Sequence, residues 1–171
     1  MNVALLRGIN VGGKNTLPMA ELVALFEAAG ARDVSTYIQS GNVIYRGPAT
    51  VRSRVERALE QRFGHPIPIV VRSGEALASA LAACPFVGEA DPKHLYLGFL
   101  DRAPSAAEIA RLDPARSPPD RFLVLGDAIH LCFPNGSARS KLTNAYFDAA
   151  LGVISTLRNL NTVGKLVELA R

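Results

Sequence analysis

The sequence predicts an α+β protein made of two ferredoxin-like βαββαβ halves, a pseudo-duplication, followed by a C-terminal helix. From Val3 to Val71, short β-branched runs alternate with helical patterns in the order β-α-β-β-α-β, the split βαβ unit. The same order recurs, more loosely, from His94 onward. The middle strands of each half are separated by a turn signal, Gly41-Asn42 and Gly126-Asp127, which favours antiparallel hairpins over parallel crossovers. Residue identity between the halves is negligible, so the duplication rests on element order.

The first strand is expected at about Val3 to Arg7. Helix one runs from Pro18 to about Ala29, with Leu22, Leu25, Phe26 and Ala29 on one face. Pro18 suits a first turn that needs no donor, and Gly30 ends the helix. Val34 to Ile38 and Val43 to Tyr45 form the hairpin, with a two-residue turn at Gly41-Asn42. Helix two covers about Val51 to Phe63 and is broken by Gly64-His65-Pro66. A strand follows at Ile67 to Val71, then a short helix at Glu75 to Ala83 capped by Ser73. Pro85 to Lys93 reads as a linker, which divides the chain into residues 1–88 and 89–171. In the second half, His94 to Leu100 alternates as a strand, Pro104 to Leu112 is helical, and 113–120 is a proline-rich loop. Phe122 to Leu125 and Ala128 to Phe133 form a hairpin. A helix from Ser140 to Leu151, an extended piece from Val153 to Thr156 and a last helix at about Asn161 to Ala170 complete the chain.

Of 171 residues, 49% are apolar and 20% charged, enough to bury a core and too little charge for disorder. The net charge of +4 is unevenly spread. No acid precedes Glu21, whereas Arg7 and Lys14 do, and after Ser137 five cations face only Asp148 and Glu168. Cys84 and Cys132 lie far apart with no metal spacing, so two buried thiols in a reducing cytoplasm are expected. No run approaches the ~20 apolar residues of a membrane span, and no membrane partner is expected.

Four motifs carry candidate chemistry. Arg7-Gly8-Ile9-Asn10-Val11-Gly12-Gly13-Lys14-Asn15 follows a strand and satisfies most of the phosphate-loop pattern G-x-x-x-x-G-K. Three features argue against an NTPase. Asn15 replaces the Mg²⁺-holding hydroxyl, the helix starts only at Pro18, and an antiparallel hairpin comes next. An anion-binding loop of another geometry or a structural turn remains, with Arg7, Asn10, Gly12, Gly13 and Lys14 as the residues to watch. In the hairpin tip, Gln39, Ser40 and Asn42 offer polar contacts or merely build a turn. Pro134 to Lys141 reads as a turn entering a helix. Arg139, Ser140 and Lys141 would sit at its start and Asn144 one turn on, so cations would oppose the dipole unless an anion binds. Finally, Arg158, Asn159 and Asn161 precede the last helix, where capping explains one amide but not all. No paired carboxylates or Cys/His clusters stand in these motifs, so metal hydrolysis and glycosidase chemistry are disfavoured, and neither metal nor cofactor is expected. His130 and Cys132 share a strand face, a weak basis for a nucleophile pair.

Taken in this order, the motifs resemble a bacterial family, domain of unknown function 1697. Its members open with ALLRGINVGGKN and continue with an MAEL helix and a TYIQSGNV hairpin. They close with PNG-x-x-RSKLTN and RN-x-NTV. The matching stretches here are Ala4 to Asn15, Met19 to Leu22, Thr36 to Val43, Pro134 to Asn144 and Arg158 to Val163. Leu160 stands where members usually carry Trp, and Ala138 where they usually carry Gly. The resemblance implies an α+β fold with ferredoxin-like halves and no established activity.

The expected function is phosphate recognition, with nucleotide or nucleic acid as ligand, by a basic groove shared by Arg7, Asn10, Lys14, Arg139, Lys141 and Arg158. One alternative is an enzyme acting on a phosphorylated small molecule, using Lys14 or Lys141 for charge and Ser40 or Ser140 as a polar contact. Another is a protein-interaction module in which these residues only build turns. The sequence leaves the oligomeric state open.

Overall fold

The computed structural model describes the whole chain, Met1–Arg171. It divides into two compact units, Met1–Leu77 with Leu166–Arg171, and Ala78–Lys165.

The first unit contains β1 (Asn2–Leu6), α1 (Met19–Ala28), β2 (Arg32–Tyr37), β3 (Asn42–Arg46), α2 (Thr50–Phe63) and β4 (Ile69–Ser73). The strands form one antiparallel sheet in the order β2-β3-β1-β4. Ala4 lies opposite both Val43 and Val71, so Asn2, Ala4, Leu6, Val43, Tyr45 and Val71 share one face. Helices α1 and α2 cover that face with Leu22, Phe26, Val51, Val55 and Leu59, all fully buried. Each such aliphatic or aromatic side chain contributes about 1.5–3 kcal/mol on leaving water. Gly64 ends α2 in the left-handed region, its N–H returning to Glu60 O at 2.8 Å. Ser73 caps α3 (Gly74–Ala82), its Oγ accepting from Ala76 N at 3.0 Å.

The second unit repeats the arrangement with β5 (Leu95–Leu100), α4 (Ala106–Ile109), β6 (Arg121–Leu125), β7 (Ala128–Cys132), α5 (Asn144–Leu151) and β8 (Ser155–Asn159). Its antiparallel sheet has the order β6-β7-β5-β8, element for element that of the first. Ile129, Leu131, Phe133, Phe147 and Leu151 form its core. The chain ends in α6 (Leu160–Leu169). No helix is long and apolar enough to cross a membrane.

Five local expectations need correction. The first hairpin turns through four residues, 38–41, not two, because Asn42 pairs with Tyr37 as a strand residue and its side chain bonds Tyr37 O and Ser40 Oγ. The strand expected at Ile67 begins at Ile69, since Pro66 and Pro68 offer no N–H to a ladder. Only Ala106–Ile109 of the 104–112 stretch is helical. A capping box of Ser105 and Glu108 starts that helix, but Arg111 and Leu112 close tighter i→i+3 turns ahead of Pro114. The helix expected from Ser140 begins at Asn144. Ser140 Oγ takes the Leu142 N–H and Ser117 Oγ takes the Lys141 N–H, and Thr143 supplies the cap, accepting from Tyr146 N. The extended piece after Val153 is a full edge strand, Ser155–Asn159.

Candidate functional site

In the first unit, the sheet registry brings two of the predicted motifs to one end. Leu6 N donates to Gly41 O at 2.8 Å, and Arg7 N to Pro68 O at 3.0 Å. The glycine loop, the 38–41 turn and the segment before β4 therefore lie side by side. The glycine loop is a miniature hairpin. Gly12 (φ 58) and Gly13 (φ 72) occupy its tip, and Lys14 N donates to Val11 O at 3.0 Å. Two successive positive φ values mark a type I′ pattern, which glycine accepts without strain. The asparagines hold the loop. Asn10 Nδ2 donates to Leu17 O and Gln39 O, Asn10 Oδ1 accepts from Leu17 N at 2.7 Å, and Asn15 Nδ2 donates to Gly8 O at 2.7 Å. Both residues sit at positive φ, which asparagine tolerates best among side-chain-bearing residues. His65 Nε2 adds a contact to Asn15 Oδ1. Lys14 is left exposed at the tip, and on the neighbouring turn Gln39 is exposed and Ser40 half-buried.

In the second unit, the predicted Arg139 and Ser140 line a cleft of about 490 Å³. One wall is Ser117, Pro118, Pro119 and Asp120; the other is Asn135, Gly136, Ala138, Arg139 and Ser140. Gly136 (φ 82) lets the second wall turn, its N–H closing on Phe133 O at 2.9 Å. A polar chain joins the walls. Ser117 Oγ donates to Asp120 Oδ2 at 2.8 Å and accepts from Lys141 N at 3.1 Å, while Ser140 Oγ approaches Ser117 Oγ at 3.5 Å. Asp120 is 8% exposed, so the only carboxylate of the cleft is committed to a buried hydrogen bond. Arg139 and Lys141 are exposed. Like Lys14, they belong to no ion pair, whereas Arg46, Arg52, Arg62, Lys93, Arg102 and Arg121 each have a carboxylate partner.

Of the remaining predicted residues, Asn144, Arg158 and Asn159 serve the frame. Asn144 Oδ1 accepts from Ser155 Oγ at 3.0 Å, and Asp148 Oδ1 accepts from Ser155 N and Oγ, tying α5 to β8. Asn159 Oδ1 caps α6 through Thr162 N at 2.9 Å, leaving Asn161 exposed. Arg158 donates to Thr156 Oγ1 and Leu157 O, and burial pushes its guanidinium down to about 10. His130 and Cys132 do share a buried face of β7, but no hydrogen bond joins them. His130 Nδ1 has no partner, and burial lowers the imidazole below its ordinary value.

The sequence reading missed Ser117 and Asp120, which lay in a stretch taken as a plain proline-rich loop. A serine three residues before an aspartate is a turn signal, and nothing in spacing alone tied it to Ser140.

The model of a family described as a protein of unknown function (DUF1697) matches residues 1–130, and the chain belongs to that family. Among solved structures, a conserved bacterial protein from Streptococcus pneumoniae superposes with a TM-score of 0.71 at 24% identity, covering 99% of this chain and 98% of the other. That likeness extends the shared fold over the full length. No curated protein matches the chain.

Proposed function

We propose that this family member is a phosphate-recognising binding protein whose ligand is a nucleotide or a nucleic-acid phosphate. The observation that carries the reading is the cleft beside Arg139: a polar space lined by that one cation, which has no ion-pair partner, with its one carboxylate already bonded to Ser117. Its volume of about 490 Å³ falls within the ~300–1,000 Å³ of small-ligand sites. Lys14, unpaired on the tip of a hydrogen-bonded hairpin, supplies the first unit with a cation of the same kind. Exposed cations without partners gain more from a phosphate than from each other, and a guanidinium recognises it bidentately. The two free, buried cysteines fit a cytoplasmic setting.

A nucleophilic serine relay in this cleft finds less support. A Ser140–Ser117–Asp120 relay would need short O–H···O contacts, and its first step spans 3.5 Å against a usual ~2.7–2.8 Å. Ser117 is also occupied by the Lys141 N–H.

Titration with a nucleoside monophosphate and with a labelled mixed-sequence single-stranded RNA, each at low and moderate salt, tests the proposal. Saturable binding of either, weakened by salt, is expected. Absence of binding by both at low salt would remove nucleotide and nucleic acid as ligands.

A further inference from the structure

A second cleft, of about 390 Å³, opens in the first unit where α2 begins. It is lined by Asn2, Tyr45, Ala49, Arg52 and Val71. We propose that Asn2, Tyr45 and Arg52, gathered around the first turn of α2, bind the carboxylate of a small aliphatic acid. This site involves the first unit alone and does not depend on the phosphate reading.

Strand registry sets the geometry. Asn2 and Tyr45 are direct partners across β1 and β3, so their side chains leave the sheet on the same face, with Val71 two positions along β4 from Asn2's partner Ser73. Tyr45 is 1% exposed, and its ring packs on Phe26 at 5.2 Å, yet its hydroxyl makes no hydrogen bond. A tyrosine this deeply buried normally gives its O–H to a partner. Tyr45 instead lines the cleft, and its hydroxyl is not sealed from solvent. Burial raises the phenol above its ordinary value, with Arg52 pulling the other way.

The start of α2 is deficient in the same sense. Its flanking residue, Ala49, has no side chain able to cap, and the first turn contains no acid. Val51 N closes on Pro48 O at 3.1 Å, but no side chain caps this 14-residue helix and no first-turn acid answers its positive dipole end. Arg52 adds a cation where a carboxylate would ordinarily sit. Its Nε is held by Glu56 Oε1 at 2.9 Å, which orients the guanidinium and leaves the terminal nitrogens available. Tyr45 and Arg52 thus line one cleft together with Asn2, whose Nδ2 donates to Gly47 O at 3.3 Å.

The class of ligand follows from charge and wall chemistry. Arg52 shares its charge with Glu56, so a monoanion is matched and a dianion is not. Ala49 and Val71 offer apolar wall to an aliphatic body. Carboxylate oxygens accept from both guanidinium and phenol in the short, charge-assisted geometry.

The test uses the full chain, with butyrate as probe and inorganic phosphate as comparator, followed by the Tyr45 and Arg52 resonances in NMR and by calorimetry. Butyrate at millimolar concentration should saturate and shift both side chains, and Tyr45→Phe and Arg52→Gln should each weaken it about tenfold or more. Tyr45→Phe should leave the melting temperature of the free protein unchanged or raised, because it removes an unpaired hydroxyl. A structural role for that hydroxyl predicts a lower melting temperature, which would overturn the proposal. A cleft that holds only water gives no response to butyrate, and one that prefers phosphate responds to the comparator instead; either result overturns the assignment.

Discussion

Replacing Gly41 with alanine tests the packing that brings the glycine loop and the 38–41 turn together. Gly41 has φ 78, and a Cβ there would lie 2.8 Å from Leu6 Cβ and 2.9 Å from Ile9 Cδ1. Neither neighbour has room to retreat, since Leu6 and Ile9 are each 1% exposed. The left-handed backbone costs an L-residue about 1–2 kcal/mol, and overpacking a filled core costs about 1–3 kcal/mol more. The sum, about 2–5 kcal/mol, is a large share of a stability of ~5–15 kcal/mol and lowers the melting temperature by roughly 5–15 °C for a chain of this size. Gly12→Ala is the internal control. It has φ 58 but nothing within 4 Å, so it bears the backbone cost alone. Thermal unfolding of both variants by circular dichroism reads the difference. Equal, mild destabilisation would refute the account of Gly41, because it would mean that Leu6 and Ile9 do not close over the turn.

Further expectations concern the loops and their pH dependence. Asn10→Ala should cost about 2–4 kcal/mol in urea unfolding, since it deletes three hydrogen bonds worth ~0.5–1.5 kcal/mol each and a residue suited to positive φ. Thr143→Ala should cost about 1 kcal/mol, the value of an N-cap, and loosen the start of α5 in hydrogen exchange. Arg102 and the Ser105 N–H hold the Glu108 carboxyl down to about 2. Because the folded value lies below the unfolded 4.5, the stabilisation is present above that pH and is lost as pH falls toward 2. Glu108→Gln should flatten that window, and an NMR titration of the carboxyl should place its midpoint well below an ordinary glutamate. His130 behaves oppositely to a paired histidine. Its lowered folded value means that stability falls as pH drops below 6.5, and His130→Leu should remove that component.

Much of the fold was legible because period and punctuation agreed. Leu22, Phe26, Val55 and Leu59 recur at helical spacing, and Gly30 and Gly64 stop their helices with the positive φ that glycine permits. The matching strand order of the two units was legible from element order alone. Errors arose where prolines interrupt the backbone ladder, as before Ile69, and where side chains compete with the backbone for hydrogen bonds. Ser117 and Ser140 divert the N–H groups that a helix from Ser140 would have used, and that pairing spans 23 residues of sequence. The site was legible in part for the same reason. Lys14 and Arg139 announce themselves as cations among glycine and asparagine, but the internal duties of Asn10, Asn15, Asn144 and Asn159 appear only once their distant partners are known. Tyr45 and Arg52 gave no signal, because a strand tyrosine and a helix arginine are ordinary residues until registry sets them at one cleft.

Phosphate recognition beside Arg139 is tested most directly by calorimetric titration of a nucleoside monophosphate into the wild-type chain and into Arg139→Ala at low salt. The account predicts saturable binding by the wild type and a loss of roughly tenfold or more in the variant, the ~1.5–3 kcal/mol of a charge-assisted contact, at an unchanged melting temperature. Equal affinity in the two proteins would contradict it, since the cleft would then contribute nothing to the phosphate contact.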